Sequence, residues 1–253
     1  MKCSQHQLII VLIGLWLVSC SPAYVPNKVN TGLFTEEGEM HGEIATGVSG
    51  LDVQVAAAVP GNLVVTANAS LKDRDFTTSS FEENDDDVIV INDNKKHRIW
   101  EAGLGYYHIA EDGLRLEAIV GFGHGNLENV ETSLFGPINN GVQIDDDTFI
   151  TSSTFNKVFI QPTIGYSSEK FDAGFTPKIA FVRVNLNDQQ FRDTFFEPTA
   201  TLRFGHKNVK FTGQLGLSLP MDEEVEFSHE PFIFSVGVMA DINVLKLGKK
   251  GGD

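Results

Sequence analysis

Between residues 40 and 243 the chain falls into ten segments of alternating apolar and polar side chains, at about 40–49, 51–59, 63–72, 98–108, 114–124, 155–166, 171–184, 195–205, 209–219 and 231–243. A period of two puts successive side chains on opposite faces, so each segment reads as a β-strand with one apolar and one polar face. Most are near ten residues long. A tilted strand needs roughly 9–11 residues to cross a bilayer, whereas strands of soluble sheets peak near 5 or 6. Length therefore points to an all-β, antiparallel up-and-down transmembrane β-barrel of about ten strands, with eight also compatible.

The connections agree. Pro60-Gly61-Asn62, Ala110-Glu111-Asp112-Gly113, Ser167-Ser168-Glu169-Lys170 and His206-Lys207-Asn208 are short, and between them lie long connections at about 73–97, 125–154, 185–194 and 220–230. Membrane barrels alternate short periplasmic turns with longer extracellular loops in this way. The connection near Ser49-Gly50-Leu51 is short but falls on the long side. Ten strands put both termini on the short-turn side, where an anchor in the periplasmic leaflet is expected.

One face collects Val53, Val55, Trp100, Leu104, Tyr106, Leu116, Val120, Phe122, Val158, Ile160, Phe211, Leu215 and Val236. Trp100, Tyr106, Tyr166 and Phe204 fall near strand ends, as interface aromatics do. The other face is rich in Gly, Thr and Gln, with isolated charges of both signs. Small polar groups and internally paired charges suit a narrow lumen better than a solvated surface. The expected lumen network is Glu101, Arg115, Glu117, Lys178, Glu197, Arg203 and Lys210, joined by Glu43, Asp52, Lys72, Asp172 and Asp241. In so narrow a bore these charges are expected to pair and plug it; a narrow conduit for small polar solutes is the alternative. The opposite assignment, with the apolar face inward, would give a tethered lipocalin-like barrel with a ligand cavity.

Ahead of the strands stands MKCSQHQLIIVLIGLWLVSCSPAY, with Lys2 before an apolar run from Leu8 to Val18. The run is too short to span a bilayer as a helix and fits the apolar region of a secretory signal. Leu17-Val18-Ser19-Cys20 resembles the lipobox of bacterial lipoproteins. That resemblance implies cleavage before Cys20 and a covalent diacylglycerol on its sulfur. The expected division is a signal peptide over 1–19, a lipid-anchored linker over 20–39, the barrel over 40–244 and a tail over 245–253. Cys3 leaves with the signal and Cys20 is consumed by lipid, which removes disulfides, a cysteine nucleophile and cysteine metal sites.

Signal, lipid cysteine and strand ladder together resemble the small outer-membrane β-barrels of Gram-negative bacteria. GEIATGVSGLDVQVAAAV, which opens the barrel, is similar in style to lipid-anchored barrels of the Bacteroidota. The resemblance implies the cell outer membrane, contact with its lipids and lipopolysaccharide, and a monomer. The chain departs from the pattern in ending LKLGKKGGD instead of on an aromatic residue.

Few residues offer chemistry of their own. Loss of Lys2 takes the formal net charge from −15 to −16, which repels nucleic acid. The acidic runs EENDDD at 82–87, DDD at 145–147 and DEEVE at 222–226 all fall in long connections and read as a hydrated acidic rim; none has the spacing of a calcium loop. His97 and His124 lie at neighbouring strand ends but by parity face opposite ways, and Ser228 and His229 are adjacent on an extended chain, so neither pair converges. GFGHGN at 121–126 closes a strand with no helix after it, unlike a phosphate loop. The expectation is a non-enzymatic outer-membrane lipoprotein with a structural or surface-interaction role, without metal or cofactor; a narrow channel or small-molecule transporter is the rival.

Overall fold

The computed structural model describes residues 22–81, 87–110, 113–137, 145–206, 208–222 and 225–243. The strands are β1 (Glu39–Gly47), β2 (Gly50–Val59), β3 (Leu63–Phe81), β4 (Asp87–Ile109), β5 (Leu114–Pro137), β6 (Asp145–Ser167), β7 (Phe171–Leu186), β8 (Gln189–His206), β9 (Val209–Leu217), the two-residue β10 (Leu219–Pro220) and β11 (Phe232–Asn243). Each of β1 to β8 pairs antiparallel with the next in sequence, β11 joins β9 to β1, and β10 only edges β8. The result is a closed all-β barrel of ten wall strands, which leaves no free edge.

Closure runs from Glu39 opposite Asn243 to Gly47 opposite Ser235, so β1 starts and β11 ends at the short-turn rim. At the other rim several connections expected to be loops are strand. β3 to β6 extend well beyond the ten or so residues of the apolar belt, as two tall hairpin arms. Between β7 and β8 the expected long connection shrinks to Asn187-Asp188, both at positive φ (49° and 65°). Two such residues form a tight hairpin whose twist matches its strands. These arms alternate too weakly to read as half-buried strands, because beyond the bilayer neither face needs to be apolar.

Side-chain burial settles which face is the inside. Outward side chains are apolar and open, with Val120 57% and Leu215 65% exposed, while the inward neighbours Glu117, Gln161, Arg203 and Gln214 are buried. A soluble cavity barrel has the reverse arrangement, so the lipocalin-like alternative falls; an apolar outside around a polar inside is what lipid requires. Val120→Lys puts a charge into the middle of the outer belt and is expected to lower the unfolding free energy in lipid vesicles by about 2–4 kcal/mol. Urea titration of the reconstituted protein checks it.

Pro162, Pro177 and Pro198 stand level on β6, β7 and β8, all on the outer face. Proline has no N–H to give a ladder. The β6–β7 pairing accordingly stops at Ile160–Ile179 and resumes at Ile164–Phe175, the one gap in the described wall ladders. On the lumen side the gap is bridged by the hydroxyls of Thr163 and Thr176, 2.9 Å apart.

The largest departure from the sequence expectation lies at the N-terminus. The stretch expected to be a linker is inside the barrel: from Ala23 to Phe34 every residue is buried. Its first described residues sit at the rim of the long hairpins, where Ala23 N–H donates to Ser228 O at 2.8 Å and Glu230 N–H donates to Tyr24 O at 3.0 Å. Its far end meets the short-turn rim, where Phe34 lies 4.6 Å from the ring of His41 and 5.7 Å from that of Tyr107. The chain then turns through residues 35–38 and returns as β1. Only the ends of the wall strands share the short-turn side; the first described residues do not. Residues 1–21, with Cys20, and the tail from 244 lie outside the described residues.

Candidate functional site: a strapped lumen

Residues 22–35 form an extended strap with no strand beside it, so its buried peptide groups must find partners on the lumen wall. Side chains supply them. Gln54 on β2 donates to Lys28 O at 2.9 Å; Gln214 on β9 accepts from Val29 N–H at 3.0 Å and donates to Val29 O at 2.6 Å. Gln161 on β6 donates to Asn30 O at 2.7 Å, and Arg203 on β8 donates to Thr31 O at 2.6 Å. Glu117 on β5 accepts from Gly32 N–H at 3.0 Å and also from Leu33 N–H. An amide carries both a donor and an acceptor, which lets Gln214 act toward Val29 as a neighbouring strand would.

The strap's own side chains fit matching places. Asn30 donates to Asn68 Oδ1 on β3 at 2.8 Å. Leu33 lies against Gly165 and Gly174; a Cβ at Gly165 would come within 2.5 Å of its Cδ2. Gln214→Leu strands both peptide groups of Val29 in the bore. A loss of about 2–3 kcal/mol is expected from a buried donor and acceptor left without partners, read as a lower urea midpoint, with new protease cleavage between 22 and 35.

Two clusters of charge flank the strap. Toward the short-turn side, Lys28 Nζ lies 2.5 Å from Glu43, which also faces Arg203 at 3.9 Å. Toward the long-hairpin side, Glu101 on β4 lies 2.5 Å from Lys157 on β6 and 3.1 Å from Lys178 on β7, and Lys178 lies 3.6 Å from Glu197 on β8. Tyr24 of the strap donates to Glu197 at 2.6 Å, and Ser218 donates to it at 3.4 Å. Two carboxylates balance two ammonium groups, and all four side chains are buried, which such charges tolerate only when paired and hydrogen-bonded.

Separate groups gather at the two mouths. Above the strap, Phe195 packs between Tyr24 and Phe227, and His229 lies against Phe195. Burial pushes the His229 pKa below the ordinary histidine value, against the opposing pull of the Ser218 carbonyl, Asp193 and Glu197, while burial raises that of Glu230. At the short-turn mouth, His41 Nε2 lies 3.0 Å from Glu39 and 3.4 Å from Asp241. Among the described residues these three alone bring metal-type donors together, within 4.8 Å of one another. Glu39 is already engaged there by Thr35 N–H, at 2.6 Å, and by Glu36 N–H.

No protein-family model matches the chain, and no curated protein does. Among solved structures it is similar to the outer membrane protease OmpT from Escherichia coli, at 10% identity and a TM-score of 0.45, over 81% of this chain and 92% of that one. It is also similar to a major outer membrane protein from Thermus thermophilus, at 12% identity and a TM-score of 0.36, over 81% of this chain and 98% of that one.

The residues named from parity have different partners. Glu101, Lys178 and Glu197 meet in one cluster, whereas Arg203 and Glu117 serve the strap. Lys210 pairs with Asp172 at 2.8 Å, and Lys72 donates to Val48 O at 3.1 Å. Asp52 accepts from Ser49 at 2.8 Å, and Arg115 donates to the carbonyl of Leu114 at 3.0 Å. His97 turns inward onto Ser49 O and His124 outward to Asn156, so the two histidines do not converge. Lys157 follows by parity from Gln161; Tyr24, Lys28 and Asn30 have no parity to follow. The runs at 82–87 and 145–147 have no described side chains, and that at 222–226 is described only in part.

Proposed function

We propose that the chain is a closed outer-membrane barrel, lipid-anchored through Cys20, that acts as a structural or surface-interaction element and carries no solute through its bore at rest. The observation that supports this most is the strap. Residues 23–34 are buried inside the wall, and side chains from six strands hold them there. The strap and the two ion-pair clusters occupy the bore together, and their side chains are buried and paired. The apolar outer belt favours lipid as the surrounding solvent, and the tall hairpins with their acidic runs are the parts offered to the outside.

Fractionation of cells expressing the full chain tests the assignment. The expected result is recovery with the outer membrane, release only by detergent, and faster migration on gels before boiling than after. Recovery as a soluble protein without detergent overturns it. Mass spectrometry of the N-terminal peptide tests the anchor separately: a diacylglyceryl adduct on Cys20 supports it, and an unmodified or absent Cys20 overturns it.

A further inference from the structure

The direction of the strap has a topological consequence. At the long-hairpin mouth Ala23 is fastened at both peptide groups, by Ser228 O at 2.8 Å and by the Ser153 hydroxyl at 3.1 Å, and Tyr24 bridges His229 in parallel. At the short-turn mouth Phe34 packs on His41 and Tyr107, and Tyr107 N–H donates to Asn62 O in the β2–β3 turn at 2.9 Å. The chain therefore descends the whole bore before rising again as β1. Short turns of outer-membrane barrels face the periplasm and long loops face outward.

We propose that the barrel carries its own N-terminus across the membrane, so that the residues before Pro22 are displayed on the external face and the lipid on Cys20 enters the outer leaflet. The lipid half of this rests on the anchor reading above; the route of the strap does not. Cys20 stands two residues before Pro22, a reach of at most about 7 Å. The hydrocarbon core is about 30 Å thick. A lipid on Cys20 thus cannot return to the periplasmic leaflet past a strap held along its length; its acyl chains join the leaflet around the long hairpins. Anchor and barrel then hold the same chain from two directions, and the first residues of the processed protein become part of the surface that outside partners meet.

Epitope insertion in the full chain tests the route. One epitope is placed between Ser21 and Pro22, a second in the upper loop at residue 222, and a third in the turn at Gly61. Intact cells are expected to bind antibody at the first two sites equally and at the third only after the outer membrane is permeabilised. An N-terminal epitope that behaves like the one at Gly61 overturns the proposal. A second readout guards against an insertion that keeps the strap out of the bore. With the epitope in place, Asn30→Cys and Asn68→Cys are expected to be joined by a short dimaleimide in the membrane-inserted protein, while the pair Asn30→Cys and Val120→Cys, on opposite sides of the wall, is not. Failure of the first pair to join in the chain without an epitope also overturns the proposal. Surface staining with an unmodified Cys20 overturns the anchor and leaves the route standing.

Discussion

In a planar bilayer the full chain is expected to stay electrically silent, and a variant lacking residues 22–35 is expected to show stepwise single-channel currents. Removing the strap deletes Tyr24, Lys28 and Asn30 from the bore together with the backbone that Gln54, Gln161, Gln214, Glu117 and Arg203 now hold. What remains along the strap's path is a column of amides, hydroxyls and charges released to water. A ten-stranded bore is only somewhat wider than its own side chains, so the open state should pass small ions and exclude larger solutes. Glu43 loses Lys28 but keeps Arg203, whereas Glu117 loses both strap amides and gains no cation. The current should therefore favour cations. A silent strapless variant that still runs as a folded, heat-modifiable barrel would show that wall side chains alone close the bore, and a conducting full chain would refute the resting plug.

The second large effect is expected at Glu101. Its carboxylate is the nearest anion to Lys157 and the nearer of two to Lys178, in a place from which water is excluded. Glu101→Gln leaves two buried ammonium groups with Glu197 as the only carboxylate of the cluster. Breaking a buried pair from one side commonly costs about 3–5 kcal/mol, because the orphaned charge keeps its desolvation penalty. The urea midpoint in vesicles should fall accordingly. The double variant Glu101→Met with Lys157→Met removes one charge of each sign and leaves Lys178 beside Glu197 at 3.6 Å. It should recover most of the loss, since a hydrophobic replacement of a buried ion pair is often nearly neutral. Equal losses in the single and double variants would mean that packing around residue 101, and not charge balance, holds this part of the bore.

The wall was readable from sequence because a sheet with lipid outside and water-like groups inside obliges every strand to alternate, and the alternation survives from Val53 to Val238. Arg203, Glu117 and Lys178 follow from that parity alone. The strap was not readable. From Lys28 to Leu33 its peptide groups bond to side chains instead of a neighbouring strand, so nothing imposes a period there, and Pro22, Pro26, Asn27 and Asn30 look like an ordinary linker. The signal that was present lay on the other partner. Gln54, Gln161 and Gln214 sit on three separate strands at inward positions, where a bore filled only by ion pairs has no use for groups that both donate and accept. The arms of β3 to β6 escaped for a different reason: outside the bilayer a hairpin has no face to hide.

The strap also bears on how the barrel is made. Arg203 and Thr31 are 172 positions apart, and Gln214 and Val29 are 185 apart, so these bonds cannot form until nearly the whole wall has been synthesised. Gln54 holds Lys28 from only 26 positions away, so one short segment ties the first wall strands to the last.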